Sequence, residues 1–192
     1  MPTTKSSSYH HGDLRHAILA AALDVIAAEG PGALSMRDLA RRAGVSHAAP
    51  AHHFKDRTGL LTAIATEGYE LLADALADAD GLRERGVRYV RFGVEHPAHF
   101  QVMFLPDLLR GDDAALLAAR ARAGAELSAG VSGVPASGRG EDARLAGIAA
   151  WSLAHGFATL LLSENLREPV GERNPEDVFR ALAELLFSGS RD

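Results

Sequence analysis

The chain has 192 residues, 47% hydrophobic and 23% charged, which is enough apolar material for a buried core and excludes wholesale disorder. Cysteine is absent, so disulfides, thiol catalysis, thiolate zinc sites and iron–sulfur clusters are excluded. The formal net charge is −5, but residues 1–57 carry seven Lys or Arg against five Asp or Glu, together with six of the nine histidines. A mildly basic N-terminal part, with a net charge of +2, therefore precedes an acidic body of −7.

The N-terminal residues 1–12 are polar and lack the apolar stretch of a signal peptide, so they predict a mobile arm. A first helix is predicted over about 13–29. Asp13 is its expected N-cap, and Gly30-Pro31-Gly32 is expected to end it.

The next segment, 35–54, predicts two short helices joined by a glycine turn. Ser35 begins Ser-Met-Arg-Asp, a weaker form of the capping box, and Gly44 ends the helix that follows. Val45 is expected to pack beneath the turn, and Ser46 is expected to cap a third helix of about seven residues. This spacing is typical of a helix-turn-helix, whose second helix enters the DNA major groove.

The remainder of the chain also predicts helices, since no segment alternates polar and apolar residues for long enough to form a strand. Residues 129–140 are rich in Gly, Ser and Pro and predict a flexible loop. The apolar runs are shorter than a bilayer requires, so we predict no membrane span and a cytoplasmic location. The helices are expected at about 56–78, 82–95, 98–105, 112–128, 141–165 and 175–187.

The predicted helix-turn-helix carries side chains suited to DNA. Ala40 and Ala43 are small where two helices would cross closely, and a capped helix start favours a phosphate. An ordinary helical hairpin with a solvated basic face would explain the same pattern. The cations that would reach phosphate oxygens are Arg37, Arg41, Arg42, Lys55 and Arg57.

Three stretches resemble one known family. LSMRDLARRAGVSHAAPAHHFKDRTGLL resembles the N-terminal domain of TetR-family transcriptional regulators. Trp151-Ser152-Leu153-Ala154-His155-Gly156 resembles the Trp-x-x-x-His-Gly signature of one branch, and Tyr9-His10-His11-Gly12-Asp13-Leu14-Arg15 is typical of that branch. The resemblance implies an all-α fold: a three-helix DNA-binding head in residues 1–57, and a larger helical domain in 58–192 for dimerisation and effector binding.

The resemblance and the local chemistry together give the predicted DNA contacts. Two residues depart from the family pattern: Ala51 replaces a common Tyr that donates to the DNA backbone, and Pro50 removes a helical hydrogen bond. The recognition helix should therefore be short or tightened at its start, with modest base specificity. The predicted DNA-binding residues are Arg37, Ser46, His47, Ala48, Ala49, His52, His53, Lys55 and Arg57.

Two predictions concern the larger helical domain of residues 58–192. Helices 141–165 and 175–187 carry small residues and broad apolar faces, and the resemblance implies that they form a homodimer interface. A small-molecule effector, with no cofactor, is expected to bind among the middle helices, and His155 is its most plausible polar contact. Taken singly, each candidate pocket residue is better explained by ordinary core packing, and the resemblance favours a pocket for the group without saying which side chains line it. The candidates are Tyr89, Phe92, Phe100, Met103, Phe104, Trp151 and His155.

Other functions receive less support. No nucleophile elbow, phosphate-binding glycine loop or His-Glu-x-x-His motif is present, so an enzyme is not predicted. His96 and His99 have a spacing that suits two metal ligands, but no third ligand is fixed by the pattern, and no metal site is assigned. Two alternatives stay open: a metal-responsive regulator, and an interaction protein that uses this fold without DNA. The sequence favours a ligand-responsive repressor that binds a palindromic operator as a dimer.

Overall fold

A computed structural model describes residues 7–129 and 140–187, and every regular element in these ranges is a helix. The predicted all-α fold is confirmed. Two short 3₁₀ turns, Pro31–Ala33 and Pro106–Leu108, join longer elements. The helices are α1 (Ser7–Glu29), α2 (Met36–Arg42), α3 (Ala49–Phe54), α4 (Arg57–Leu76), α5 (Gly81–Glu95), α6 (Pro97–Met103), α7 (Ala114–Ala129), α8 (Gly140–Leu162), α9 (Arg167–Val170) and α10 (Pro175–Phe187).

The chain divides into two compact units. The first contains the described residues up to Gly68 together with Ala98–Leu117, and the second contains Tyr69–Pro97 and the described residues from Ala118 onward. The functional division predicted after Arg57 stays a prediction. In the fold itself, α4 continues past that point, and α6 belongs to the first unit because its side chains pack against α4 there.

The helix α1 starts earlier than predicted. It begins at Ser7, so Asp13 lies within the helix and is not its N-cap, and residues 7–12 of the predicted arm are helical. Gly12 costs a helix interior about 1 kcal/mol without breaking it, and no proline intervenes. The predicted arm residues 1–6 lie outside the described part of the chain. Ile18, Ala22 and Val25, at helical spacing, are buried and form the inner face of α1.

Helices α1, α2 and α3 pack together as the core of the predicted head. The Oγ of Ser35 accepts a hydrogen bond from the Asp38 N–H at 3.5 Å, as the capping pattern predicts. Gly44 has φ of 65°, a left-handed conformation that glycine adopts without steric cost, and α2 ends just before it. Leu39 and Ala40 are buried on the inner face of α2, where a small residue lets the helices approach closely.

The recognition helix α3 is short, as Pro50 predicts. It spans only Ala49–Phe54, and Pro50 occupies its first turn, where the missing N–H has no helical partner to lose. The prediction that Ser46 caps this helix is wrong, because Ala48 is the N-cap and provides no side-chain hydrogen bond. The Ser46 carbonyl instead accepts from the Ala49 N–H at 3.0 Å, which forms a tight turn ahead of the helix. The helix therefore begins later along the chain than the sequence pattern predicts.

The second unit is built around α5, which packs against α8 and α10. The ring of Phe179 on α10 lies so close to Gly86 that a Cβ there would stand 2.7 Å from it. The Arg91 guanidinium donates two hydrogen bonds to the Glu176 carboxylate, at 2.7 and 2.5 Å. The last helix begins at Pro175, as predicted, and Asn174 caps it, with its Oδ1 accepting from the Glu176 N–H at 2.8 Å. The predicted loop at 129–140 lies almost wholly outside the described residues.

Candidate DNA-binding surface and effector region

The predicted DNA-binding residues lie mostly on the exposed side of the helix-turn-helix. His53 is half-buried, with its ring 5.3 Å from that of His52 and 6.2 Å from that of Phe54. Ala49 is an exception, because it is only 8% exposed and belongs to the core of the head. The late start of α3 turns this residue inward, so it cannot offer its methyl group to a base. The exposed members are Arg37, Ser46, His47, Ala48, His52 and Lys55.

The cations of α2 are not equivalent. Arg41 and Arg42 both bind the Asp38 carboxylate, at 2.6 Å each, and Arg42 also lies 3.5 Å from Glu29. The hydrogen bonds from Arg42 and Arg41 hold the pKa of Asp38 below its ordinary value, so this carboxylate offsets part of their charge. Arg37 points to solvent and makes no ion pair with another described residue. It is therefore the α2 cation best placed to meet a DNA phosphate or base.

Arg57 has an additional role inside the protein. Its Nη2 donates to the carbonyl oxygen of Pro31 at 2.6 Å, and the side chain is half-buried. The first residue of α4 is thereby tied to the turn that follows α1. The predicted phosphate contact by Arg57 stays a prediction, and a DNA phosphate would have to share this guanidinium with the Pro31 carbonyl.

The turn between α3 and α4 is unusually constrained. Lys55 has φ of 69° and ψ of −59°, and the Asp56 N–H bonds to the Phe54 carbonyl at 2.9 Å, which makes a strained three-residue turn. The Asp56 carboxylate accepts from the Gly59 N–H and from Arg110, at 2.8 Å each. These bonds, the Gly59 one foremost, lower the pKa of Asp56. The end of the recognition helix is therefore fixed to the start of α4.

The predicted effector-pocket residues are divided between the two units. Phe100, Met103 and Phe104 belong to the first unit, where the Phe100 and Phe104 rings pack 5.1 Å apart. A Cβ on Gly68 would stand 2.7 Å from the Met103 sulfur, so Met103 fills the space beside α4. The other four residues, Tyr89, Phe92, Trp151 and His155, belong to the second unit.

Tyr89, Trp151 and His155 form a hydrogen-bonded chain within the second unit. The Trp151 Nε1–H donates to the Tyr89 hydroxyl at 3.3 Å, and that hydroxyl lies 2.9 Å from His155 Nδ1. Burial raises the pKa of Tyr89 and lowers the pKa of His155. Since indole can only donate, the Tyr89 hydroxyl accepts from Trp151, and the tautomer of His155 sets the direction of the bond between the hydroxyl and Nδ1. Two residues of the Trp-x-x-x-His-Gly signature thus orient a fully buried tyrosine.

The depressed pKa of His155 predicts a pH-dependent stability. The unfolded chain takes up this proton near pH 6.5, whereas the folded chain resists it, so the free energy of unfolding should fall as pH decreases from about 7.5 to about 5.5. We expect His155→Asn, which keeps a polar group near the Nδ1 position, to show a smaller acid-induced drop in melting temperature than the wild type. Equal drops in the two proteins would show that His155 does not carry this dependence.

A small recess lies between α5, α7 and α8. Its cavity volume is about 30 Å³, and it is lined by Tyr89 and Trp151 together with small and apolar side chains. Arg85 also lines the recess, and this residue was not predicted from the sequence. The sequence does contain a signal for Arg85, because its spacing of four and seven residues from Tyr89 and Phe92 places a cation on the buried stripe of α5.

An apolar surface is exposed on α8 and α10. Leu145, Ile148 and Leu160 project from α8 into solvent, and Leu185 is 80% exposed near the end of α10. In the described residues one segment, Arg144–Leu162, is long and apolar enough to cross a membrane, and 17% of it is buried in the protein. One such helix is weak evidence for a membrane span, because helices of globular proteins reach the same length and composition, so the predicted absence of a span is not overturned.

The histidines of the metal alternative do not converge. The His96 ring packs 5.3 Å from the Phe92 ring, and His99 Nε2 lies 4.0 Å from the Glu67 carboxylate. Among the side chains that the structure describes, no three His, Asp or Glu residues come together as a set of metal ligands.

Comparison with known proteins supports this description. The family described as bacterial regulatory proteins, tetR family, matches residues 18–64, and the tetracyclin repressor-like C-terminal domain matches residues 82–186. A search of curated protein sequences found no match.

Solved structures cover nearly the whole chain. A protein of unknown function from Rhodococcus sp. RHA1 is 31% identical, with a TM-score of 0.74 over 97% of this chain and 100% of its own. The TetR family transcriptional regulator PfmR from Thermus thermophilus is 27% identical, with a TM-score of 0.66 over 91% and 99%. A tetR-family regulatory protein from Rhodococcus RHA1, 23% identical, shares the fold with a TM-score of 0.72 over 93% and 98%.

The helix-turn-helix and the two domain matches define a DNA-binding regulator rather than an enzyme. The chain belongs to the TetR family of transcriptional regulators. The predicted family is therefore confirmed, and the residues of the Trp-x-x-x-His-Gly signature fall within the C-terminal match.

Proposed function

We propose that the protein is a ligand-responsive repressor that binds a palindromic operator as a homodimer. The observation that carries this proposal is the uncovered apolar surface of α8 and α10, which includes Leu145, Ile148, Leu160 and Leu185. A soluble protein rarely leaves a large apolar surface in water, and a second copy with the same surface would cover it. The predicted interface through residues 141–165 and 175–187 lies on these same helices.

The geometry of α8 supports a second copy of the chain on its exposed apolar side. At about 100° per residue, Leu145, Ile148, Gly156 and Thr159 lie within about 80° of one another, while Ala154 and the recess lie on the opposite side. Gly156 has no atom of the remaining described chain within 4 Å of where its Cβ would stand, so a helix of another copy has room to approach there. Dimerisation also explains why a strongly apolar helix belongs to a cytoplasmic DNA-binding protein.

Two copies would present two heads to one operator. Each head offers few exposed base-reading groups, chiefly Arg37, His47 and His52, so one head alone would bind weakly and with little selectivity. Two-fold symmetry then favours an inverted repeat with half-sites about one helical turn apart. The effector would act by favouring one spacing of the heads, with a coupling free energy of about 1–3 kcal/mol.

The proposal is tested by stoichiometry on DNA. Duplexes from the region upstream of the gene, one with an intact inverted repeat and one with a single half-site, are titrated with the full-length protein in the analytical ultracentrifuge. We expect two protomers on each inverted repeat and binding to the half-site that is weaker by about a hundredfold or more. One protomer per duplex, with equal affinity for both, would contradict the dimer.

A further inference from the structure

Arg85 is a buried cation whose hydrogen-bonding capacity is only partly used. The residue is 9% exposed, and its Nε is buried without a hydrogen-bond partner among the described residues. Its Nη1 donates to the Leu76 carbonyl at 2.8 Å and lies 3.6 Å from the Glu126 carboxylate. A guanidinium has five donors, and leaving a buried one unsatisfied is costly, so this position is suited to an additional acceptor.

The surroundings of Arg85 favour a particular ligand. The recess beside it is lined by Gly86, Gly147, Ala150 and Ala154, which leave space but provide no polar side chain. The polar groups of Tyr89 and Trp151 are already bonded to each other. Among the residues that line the recess Arg85 is the cation, and a planar carboxylate matches the paired N–H donors of a guanidinium better than a neutral group does. Trp151 is also 44% exposed and offers a flat apolar face for the ligand's body.

We propose that this recess binds the carboxylate of a small aromatic monocarboxylic acid, with Arg85 as the anion-binding residue. The inference rests on the proposed function and names the chemical class of its effector. The recess volume of about 30 Å³ accommodates the carboxylate end, and the ring packs against the Trp151 indole. Glu126 is the present counter-ion of Arg85 and competes with the ligand, and its partial exposure allows it to turn toward solvent.

The same arginine connects the recess to the end of α4. Leu76 is the last residue of α4, and its carbonyl is held by Arg85, while Arg88 holds the carbonyls of Ala75 and Ala77 at 3.3 and 2.7 Å. A carboxylate that recruits the Arg85 guanidinium competes with the Leu76 carbonyl and weakens one of these attachments. Helix α4 continues along the chain from the helix-turn-helix, so its end is a suitable point for an effector to act.

The test uses benzoate as the probe and benzamide as its uncharged isostere, with calorimetric titration of the full-length protein. We expect wild type to bind benzoate at least about tenfold more tightly than benzamide, and Arg85→Gln to lose about tenfold or more in benzoate affinity. The matched control is Arg88→Gln, because Arg88 also caps α4 but does not line the recess, and it should stay within about twofold of wild type.

Two further variants keep the test decisive if Arg85→Gln does not fold. Arg85→Lys retains the charge but lacks the two parallel N–H donors of a guanidinium, so it should bind benzoate more weakly than wild type. Glu126→Gln removes the competing carboxylate and should bind benzoate more tightly.

Equal affinities for benzoate and benzamide, or equal losses in the Arg85 and Arg88 variants, would overturn the inference. Failure of benzoate to bind while two protomers still assemble on the inverted repeat overturns this inference alone. Failure of that assembly contradicts the proposed function.

Discussion

Replacing Gly59 by alanine is expected to destabilise the N-terminal unit by about 3 kcal/mol and to abolish measurable operator binding. A Cβ at this position would stand 2.0 Å from the Phe54 carbonyl oxygen and 3.2 Å from its carbonyl carbon. Both are backbone atoms, so no side-chain rotation can relieve the overlap, and the end of α3 would have to move. Displacing α3 changes which residues face the DNA.

The surrounding turn makes this displacement especially costly. Lys55 is held at φ of 69°, and the Gly59 N–H and Arg110 both bind the Asp56 carboxylate. Moving Phe54 away from Gly59 therefore strains a turn that is already constrained on both sides. The free energy lost should exceed that of an ordinary surface substitution several times over.

The measurement is thermal and urea unfolding of Gly59→Ala beside Gly124→Ala. Gly124 lies in α7, and its Cβ would meet no atom within 4 Å, so alanine there should be neutral or stabilise by up to about 1 kcal/mol. If Gly59→Ala unfolded at the same temperature and urea concentration as wild type, that result would contradict the close approach of the Phe54 carbonyl to Gly59.

Ile148→Glu is expected to convert the dimer into folded monomers and to weaken operator binding by about a hundredfold or more. Ile148 is 47% exposed in the protomer, on the apolar side of α8. A carboxylate there costs the protomer little, because water can reach it. In the proposed dimer it would be buried without a partner, which is strongly unfavourable.

The matched control for Ile148→Glu is Leu117→Glu. Leu117 is 49% exposed on α7 and lies outside the apolar surface of α8 and α10. Sedimentation at several protein concentrations and circular dichroism separate loss of association from loss of folding. We expect Leu117→Glu to remain a dimer with unchanged operator affinity. A dimeric Ile148→Glu, or equal dissociation of both variants, would contradict the proposed interface.

Local signals in the sequence accounted for most of the helices. Pro50 predicted a shortened recognition helix, and the start of the last helix was predicted at about residue 175, because residues such as Pro50, Asn174 and Pro175 fix their own backbone conformation or cap. The start of α1 was missed for the opposite reason. Ser7 to Gly12 contains no residue that forbids a helix, and a weak preference for coil in that stretch does not prevent the helix from extending.

The candidate sites were less predictable, because they depend on which residues meet across the fold. The exposed residues of the helix-turn-helix follow from a local motif, yet the binding of Arg57 to the Pro31 carbonyl joins positions 26 residues apart. The seven predicted pocket residues were grouped by composition, and the fold divides them between two units. Arg85 was missed because its role depends on the Leu76 carbonyl and on small residues of α8, which no short sequence window contains.

Sequence-specific DNA binding is tested most directly by titrating the wild-type protein onto labelled duplex from the region upstream of its gene, over a range of salt concentrations and with excess random duplex. The prediction is tight binding that resists the random competitor and weakens steeply as salt rises, because exposed cations such as Arg37 displace counterions from phosphates. Binding that random duplex removes completely, or no binding at low salt, would contradict a sequence-specific regulator of this region.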